Sequence, residues 1–226
     1  MKEHLVLYVL GEPGIGKTSL VRFLLRDALE RDEDGPKYEA SFTEPPNPKW
    51  TLANGTVAAG HYKGNAFDGA DTIPYNGARK ALEFWRDHLL VNATLTILDG
   101  ARFATKPSLA FLRDSGVSIM GVHLVAPTEA GYRRARRCDD AGTEPQNASW
   151  VKGATTGAKN FATLIGAFDV DASANALVVA GEVAAIIERA RTPERSTRDR
   201  PELCADGTPA SSWERQGATY PGESAT

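Results

Sequence analysis

The sequence predicts an α/β fold, a three-layer sandwich with a mostly parallel sheet between two layers of helices. Three observations carry this. Short apolar runs alternate with stretches of helical periodicity along most of the 226 residues. The first run is continuously apolar rather than alternating, as a strand buried on both faces must be. A glycine-rich loop joins that run to the first helical stretch.

Residues 5–10 form the first buried strand. Residues 17–31 read as a helix, with Leu20, Val21, Leu24, Leu25 and Ala28 on one face. Residues 50–53 and 56–62 flank Asn54-Gly55, the dipeptide that favours a two-residue hairpin. This hairpin is expected as an insertion on the sheet's active edge. A helix is expected over 75–90, a strand over 94–98 and a helix over 107–115. A third buried strand spans 117–125 and ends at Ala126-Pro127. An arginine-rich helix over 128–140, a last strand over 163–170 and a strong helix over 172–191 complete the body.

Composition bounds the function classes. With 42% hydrophobic and 24% charged residues the chain is of ordinary globular type. No apolar run reaches the roughly 18 residues of a membrane span, and no signal peptide is read. Cys138 and Cys204 are too few and too far apart for a disulfide framework, which fits a reducing cytoplasm. Residues 192–226 contain no Val, Ile or Phe and four prolines, so a mobile tail is expected beyond a domain of residues 1–191. The net charge of −3 argues against a general nucleic-acid binder. Yet the tail holds 4 Arg against 6 acids, while residues 131–160 hold 6 basic residues against 3 acidic ones. The charge is therefore locally positive in an otherwise near-neutral body.

Gly11-Glu12-Pro13-Gly14-Ile15-Gly16-Lys17-Thr18 matches G-x-x-x-x-G-K-[ST] at every position, after a strand and before a helix. The glycines let successive backbone N–H groups face one anion, and the helix N-terminus adds partial positive charge. Lys17 then reaches the β- and γ-phosphates, the Thr18 hydroxyl can ligate Mg²⁺, and Ser19 completes the binding segment. This predicts a P-loop NTPase fold that binds a nucleoside triphosphate with Mg²⁺. Asp99, at the end of the 94–98 run, lies where such sheets bind ligands and suits a metal or water-positioning carboxylate.

A P-loop does not by itself choose among kinase, GTPase, helicase and AAA+ ATPase. The chain is short for the last two, and it lacks an Asn-Lys-x-Asp motif for reading guanine. Tyr132-Arg133-Arg134-Ala135-Arg136-Arg137 follows the third strand, and Arg133 and Arg137 share a helical face. Arginines so placed can stabilise a transferring phosphoryl group. Asp71, with Asp68 second and Glu44 third, is the candidate base for an acceptor hydroxyl. Trp50, Trp85 and Trp150 could stack on a base, although the spacing of Trp85 with Leu82 and Leu89 suits the core. His123, inside the third strand, suits a core histidine.

Asp99-Gly100-Ala101-Arg102 loosely resembles the Asp-Gly-x-x-Arg of adenylate-kinase-like enzymes, with the proline absent and the arginine one place early. More broadly, the chain resembles small thymidylate-kinase-like P-loop kinases of tailed bacteriophages. The resemblance rests on the P-loop, on Phe67-Asp68-Gly69-Ala70-Asp71-Thr72, on Leu98-Asp99-Gly100-Ala101-Arg102, and on Gln146-Asn147-Ala148-Ser149-Trp150-Val151-Lys152-Gly153 with Thr156 beyond. It implies ATP-dependent phosphorylation of the hydroxymethyl group of 5-hydroxymethyluracil in DNA, in the cytoplasm of an infected bacterium. It also implies that Lys17 and Thr18 hold ATP·Mg²⁺, Asp99 assists the metal and Asp71 faces the acceptor. Arg133 and Arg137 would steady the phosphate, and Asp68, Arg102, Gln146, Asn147, Trp150 and Lys152 would lie near the substrate. The target base would flip out of the duplex, with the hairpin gripping the displaced strand. Two other readings stay open: a kinase of free nucleoside monophosphates, and a P-loop ATPase without an acceptor. Oligomeric state is not read from the sequence.

Overall fold

The computed structural model describes residues 4–30, 41–44, 46–62, 68–126, 128–134 and 147–192. The chain divides into two units, Met1–Glu188 and Arg189–Thr226, and the sheet belongs to the first. The expected tail falls, beyond Thr192, outside the described residues.

Seven strands form that sheet: β1 (Leu5–Gly11), β2 (Ser41–Phe42), β3 (Trp50–Ala53), β4 (Thr56–Ala59), β5 (Leu95–Asp99), β6 (Ser118–Val125) and β7 (Phe168–Asp171), in the order β2-β3-β4-β5-β1-β6-β7. β4, β5, β1, β6 and β7 run parallel, and β2 and β3 extend the sheet antiparallel. The helices are α1 (Lys17–Glu30), α2 (Ala78–Phe84, continued by a π turn over Trp85–Leu89), α3 (Lys106–Asp114), α4 (128–134), α5 (Ala148–Ile165) and α6 (Ala176–Arg191).

The three layers arise from the period of β1. Leu5, Leu7 and Val9 pack with Leu20, Val21 and Leu24 of α1 and Val179, Val183 and Ile187 of α6. Val6, Tyr8 and Leu10 pack on the other face, with Leu82 and Trp85, Leu109 and Leu112, and Phe161 of α5. The predicted α/β sandwich is thus the observed one.

Several expectations are corrected. The hairpin is not an insertion: β4 is a buried strand of the parallel sheet, pairing Thr56 with Leu95 at the start of β5. The Asn54-Gly55 turn, with φ of 26° and 70°, therefore lies at the edge opposite the P-loop. Trp50 is 0% exposed, so its ring cannot stack on a base. The strand expected over 163–170 is shorter, because α5 runs to Ile165 and Gly166 ends it at φ 64°. Helix α2 begins at Ala78 rather than 75, and α6 begins after Asn175, whose side chain accepts from Leu177 N. His123 is no core residue: it pairs at 2.8 Å with Asp169 across the β6–β7 edge.

Candidate active site

β1 and β5 are neighbours, with Val9 opposite Asp99, so the P-loop and Asp99 emerge side by side at the C-terminal ends of parallel strands. The sheet is extended by β5 on one flank of β1 and by β6 on the other. Such a switch point leaves a crevice for a ligand.

The P-loop has the shape its sequence demands. Gly14 takes φ 83°, and a Cβ there would stand 2.4 Å from Arg134 Cγ and 2.9 Å from Ala130 O. Only glycine fits the conformation and the space. Lys17 passes beside Gly100 and donates to Gly11 O at 3.0 Å and Glu12 O at 2.8 Å. The Thr18 hydroxyl donates to Asp99 Oδ2 at 3.5 Å.

Asp99 is 4% exposed. Its Oδ1 accepts from Ala70 N at 2.8 Å, which ties the strand end to the 68–72 loop. Burial pushes its carboxyl up to about 6, against the opposing pull of the Ala70 N–H, Tyr62 and Lys17. Tyr62 lies partly buried beside it, with its hydroxyl oxygen out of solvent. The Tyr62 hydroxyl makes no hydrogen bond of proper distance and angle, yet it lies close enough for each group to perturb the other. Burial, then Asp99, Asp68 and Asp71, hold that phenol well above its ordinary value. Gly69 sits against the carboxylate, where an added Cβ would be 2.8 Å from Asp99 Oδ2.

The 68–72 loop separates the two candidate bases. Asp68 is buried and paired at 2.5 Å with Arg22 of α1, so it fixes the loop to the helix instead of facing an acceptor. Asp71 is open, its side chain 72% exposed, with Arg102 Nε at 3.7 Å from Oδ1. Arg102 Nε and one terminal nitrogen are buried and lack hydrogen-bond partners, and the guanidinium lies 5.6 Å from the ring of Tyr75. Glu44 is exposed on the short connection after β2.

On the other flank, Arg133 and Arg134 of α4 reach the P-loop. Arg133, expected at the phosphate, donates to Ile15 O at 2.8 Å and Ala172 O at 3.2 Å. Arg134, which the sequence did not single out, donates to Pro13 O at 2.5 Å and Glu12 Oε2 at 3.3 Å. Arg137 and Gln146 lie outside the described residues. Asn147 caps α5 by accepting from Ser149 N and Trp150 N, a structural task. Lys152 lines a cavity of about 410 Å³ between α5 and the P-loop, with Glu12, Arg134 and Thr156. Trp150 is half exposed on the same helix, and Trp85 is buried, donating to Thr96.

Among the described residues no three His, Cys, Asp or Glu side chains group to hold a metal by themselves. Mg²⁺ suits Thr18 and Asp99 nonetheless, since it is commonly held by one or two side chains together with substrate phosphates. The adjoining P-loop, with its anion-cradling backbone and lysine, fits a nucleoside triphosphate.

A family model described as P-loop Nucleotide Kinase3 matches residues 2–189. Among solved structures, the chain is similar to a gluconokinase from Sinorhizobium meliloti 1021, at 12% identity and a TM-score of 0.45, over 84% of this chain and 94% of that one. It is also similar to a shikimate kinase from Aquifex aeolicus vf5, at 14% identity and a TM-score of 0.39, over 83% and 98%. No curated protein matches.

Proposed function

The chain belongs to the P-loop nucleotide kinase family, and from that premise we propose that it transfers the γ-phosphoryl group of ATP to a hydroxyl carried by a nucleotide. The acceptor we favour is the hydroxymethyl group of 5-hydroxymethyluracil in DNA, as the likeness to the bacteriophage kinases implies. The observation that carries the kinase reading is the meeting of the P-loop lysine, Thr18 and buried Asp99 at one pair of strand ends.

ATP with Mg²⁺, when bound, supplies the phosphoryl group and the cation that neutralises it. Lys17 would leave Gly11 O and Glu12 O for phosphate oxygens. Thr18 and Asp99 would hold Mg²⁺. Asp71, exposed beside Arg102, would accept the proton of the attacking hydroxyl. Arg102 has buried N–H groups to offer an anionic acceptor. An exposed aromatic ring against a site residue supports a nucleic-acid acceptor: Tyr75, 90% exposed, lies by the Arg102 guanidinium. Bases stack on such rings without regard to sequence.

A second reading, phosphorylation of free nucleoside monophosphates, is favoured by the family's description as nucleotide kinases. The protein is incubated with γ-labelled ATP and either DNA containing 5-hydroxymethyluracil or free nucleotides. Label in the DNA is expected, and label in mononucleotides alone would establish the second reading. Asp71→Asn should abolish transfer while ATP binding persists.

A further inference from the structure

A loop that turns its N–H groups inward to cradle an anion turns carbonyls outward, and those carbonyls need donors. Here the donors are identifiable. Gly11 O and Glu12 O accept from Lys17, and Gly16 O accepts from Leu20 N at 3.0 Å. Pro13 O and Ile15 O accept from Arg134 and Arg133 of α4. The Arg134 stem also fills the space beneath Gly14. Both guanidinium groups are therefore committed to the carbonyl side of the loop.

We propose that Arg133 and Arg134 are positioning residues, a backbone clamp that holds the P-loop in its anion-cradling shape. The proposal rests on the kinase reading above. In that reading Lys17 leaves two carbonyls when a nucleotide enters, and the α4 arginines keep Pro13 O and Ile15 O held, alongside the Ile15 N–Glu12 O and Leu20 N–Gly16 O bonds within the loop and helix. Nucleotide affinity thus depends on a helix acting through the loop's backbone.

The two arginines differ in a way that lysine can read. Arg133 uses two nitrogens on carbonyls of separate segments, Ile15 and Ala172. Arg134 uses one nitrogen for both of its partners. A single ammonium group can replace the second arrangement and not the first.

The test is calorimetric binding of ADP and ATP, each with Mg²⁺, to the full chain and to R133Q, R133K, R134Q and R134K, with steady-state transfer measured beside it. R133Q and R134Q should each weaken both nucleotides by the same factor, about tenfold. R134K should recover most of that loss and R133K little. KM for ATP should rise while kcat stays within about twofold. Unchanged ADP affinity in R133Q with a reduced kcat would place its guanidinium on the transferring phosphate and overturn the clamp. Full rescue by R133K would overturn it as well. If R133Q does not fold, the R134Q and R134K pair decides by the same criteria. An unsubstituted chain that binds neither nucleotide removes the kinase reading, and the clamp with it.

Discussion

Asp99 shows stability and chemistry opposed in one residue. Its carboxyl is raised from 3.8 to about 6 by burial. The folded chain therefore takes up that proton more readily than the unfolded chain does. Stability contributed by this group is full below pH ~4 and is lost as pH rises through about 6, a cost of about 3 kcal/mol at neutral pH. Asp99→Asn should raise the melting temperature at pH 7.5 while lowering transfer by about 100-fold, because the neutral side chain no longer supplies a metal-binding charge. A melting temperature that falls would show that the carboxylate is stabilised by something other than the groups now seen around it. Gly69→Ala works on the same site by space alone. Its Cβ would press on Asp99 Oδ2 and force an unfavourable φ of 78°. Activity should drop about tenfold or more, with a rise in the Mg²⁺ needed for half-maximal rate.

The elements are placed by contacts that can be tested one glycine at a time. Gly121 of β6 has no positive φ, and it is small because Ile165 Cδ1 would stand 2.6 Å from an added Cβ. Gly121→Val should cost about 1–3 kcal/mol in chemical denaturation by pushing α5 off the sheet. Gly153 and Gly157 of α5 have nothing within 4 Å of an added Cβ. Their replacement by Ala should stabilise the chain by about 0.5–1 kcal/mol each. These two glycines also explain why α5 is not legible in the sequence: they interrupt helical propensity where tertiary packing of Phe161 and Ala162 supplies the stability. Elements with a strong apolar period, α1 and β6, are legible to within a residue or so at each end.

For the whole molecule, order along the sheet matters more than the identity of any strand. Placing β5 beside β1 brings Asp99 to the P-loop across 81 residues of chain. A ligand held by such a site stabilises the folded state by mass action. At ADP·Mg²⁺ about 100-fold above its Kd the melting temperature should rise by about 5–10 °C. Lys17→Ala should remove most of that rise without changing the melting temperature measured with no nucleotide by more than about 2 °C. An equal shift in both proteins would separate nucleotide binding from the P-loop. Among the described residues no helix is long and apolar enough to cross a membrane.

The P-loop, the alternation of strand and helix, and the position of Asp99 at a strand end are all written in the linear chain. Each is a local property: a turn that only glycine allows, a period of 2 or 3.6, an acid where an apolar run stops. Folding in three dimensions makes β4 a strand of the parallel sheet and not an inserted arm. It also pairs Asp68 with Arg22, leaves Asp71 open beside Arg102, and turns Arg133 and Arg134 to the loop's carbonyls. Those pairings join residues 31 to 121 positions apart. A local pattern sets which elements form. It carries no information about which distant polar group will satisfy a given buried one, because that depends on how the layers close.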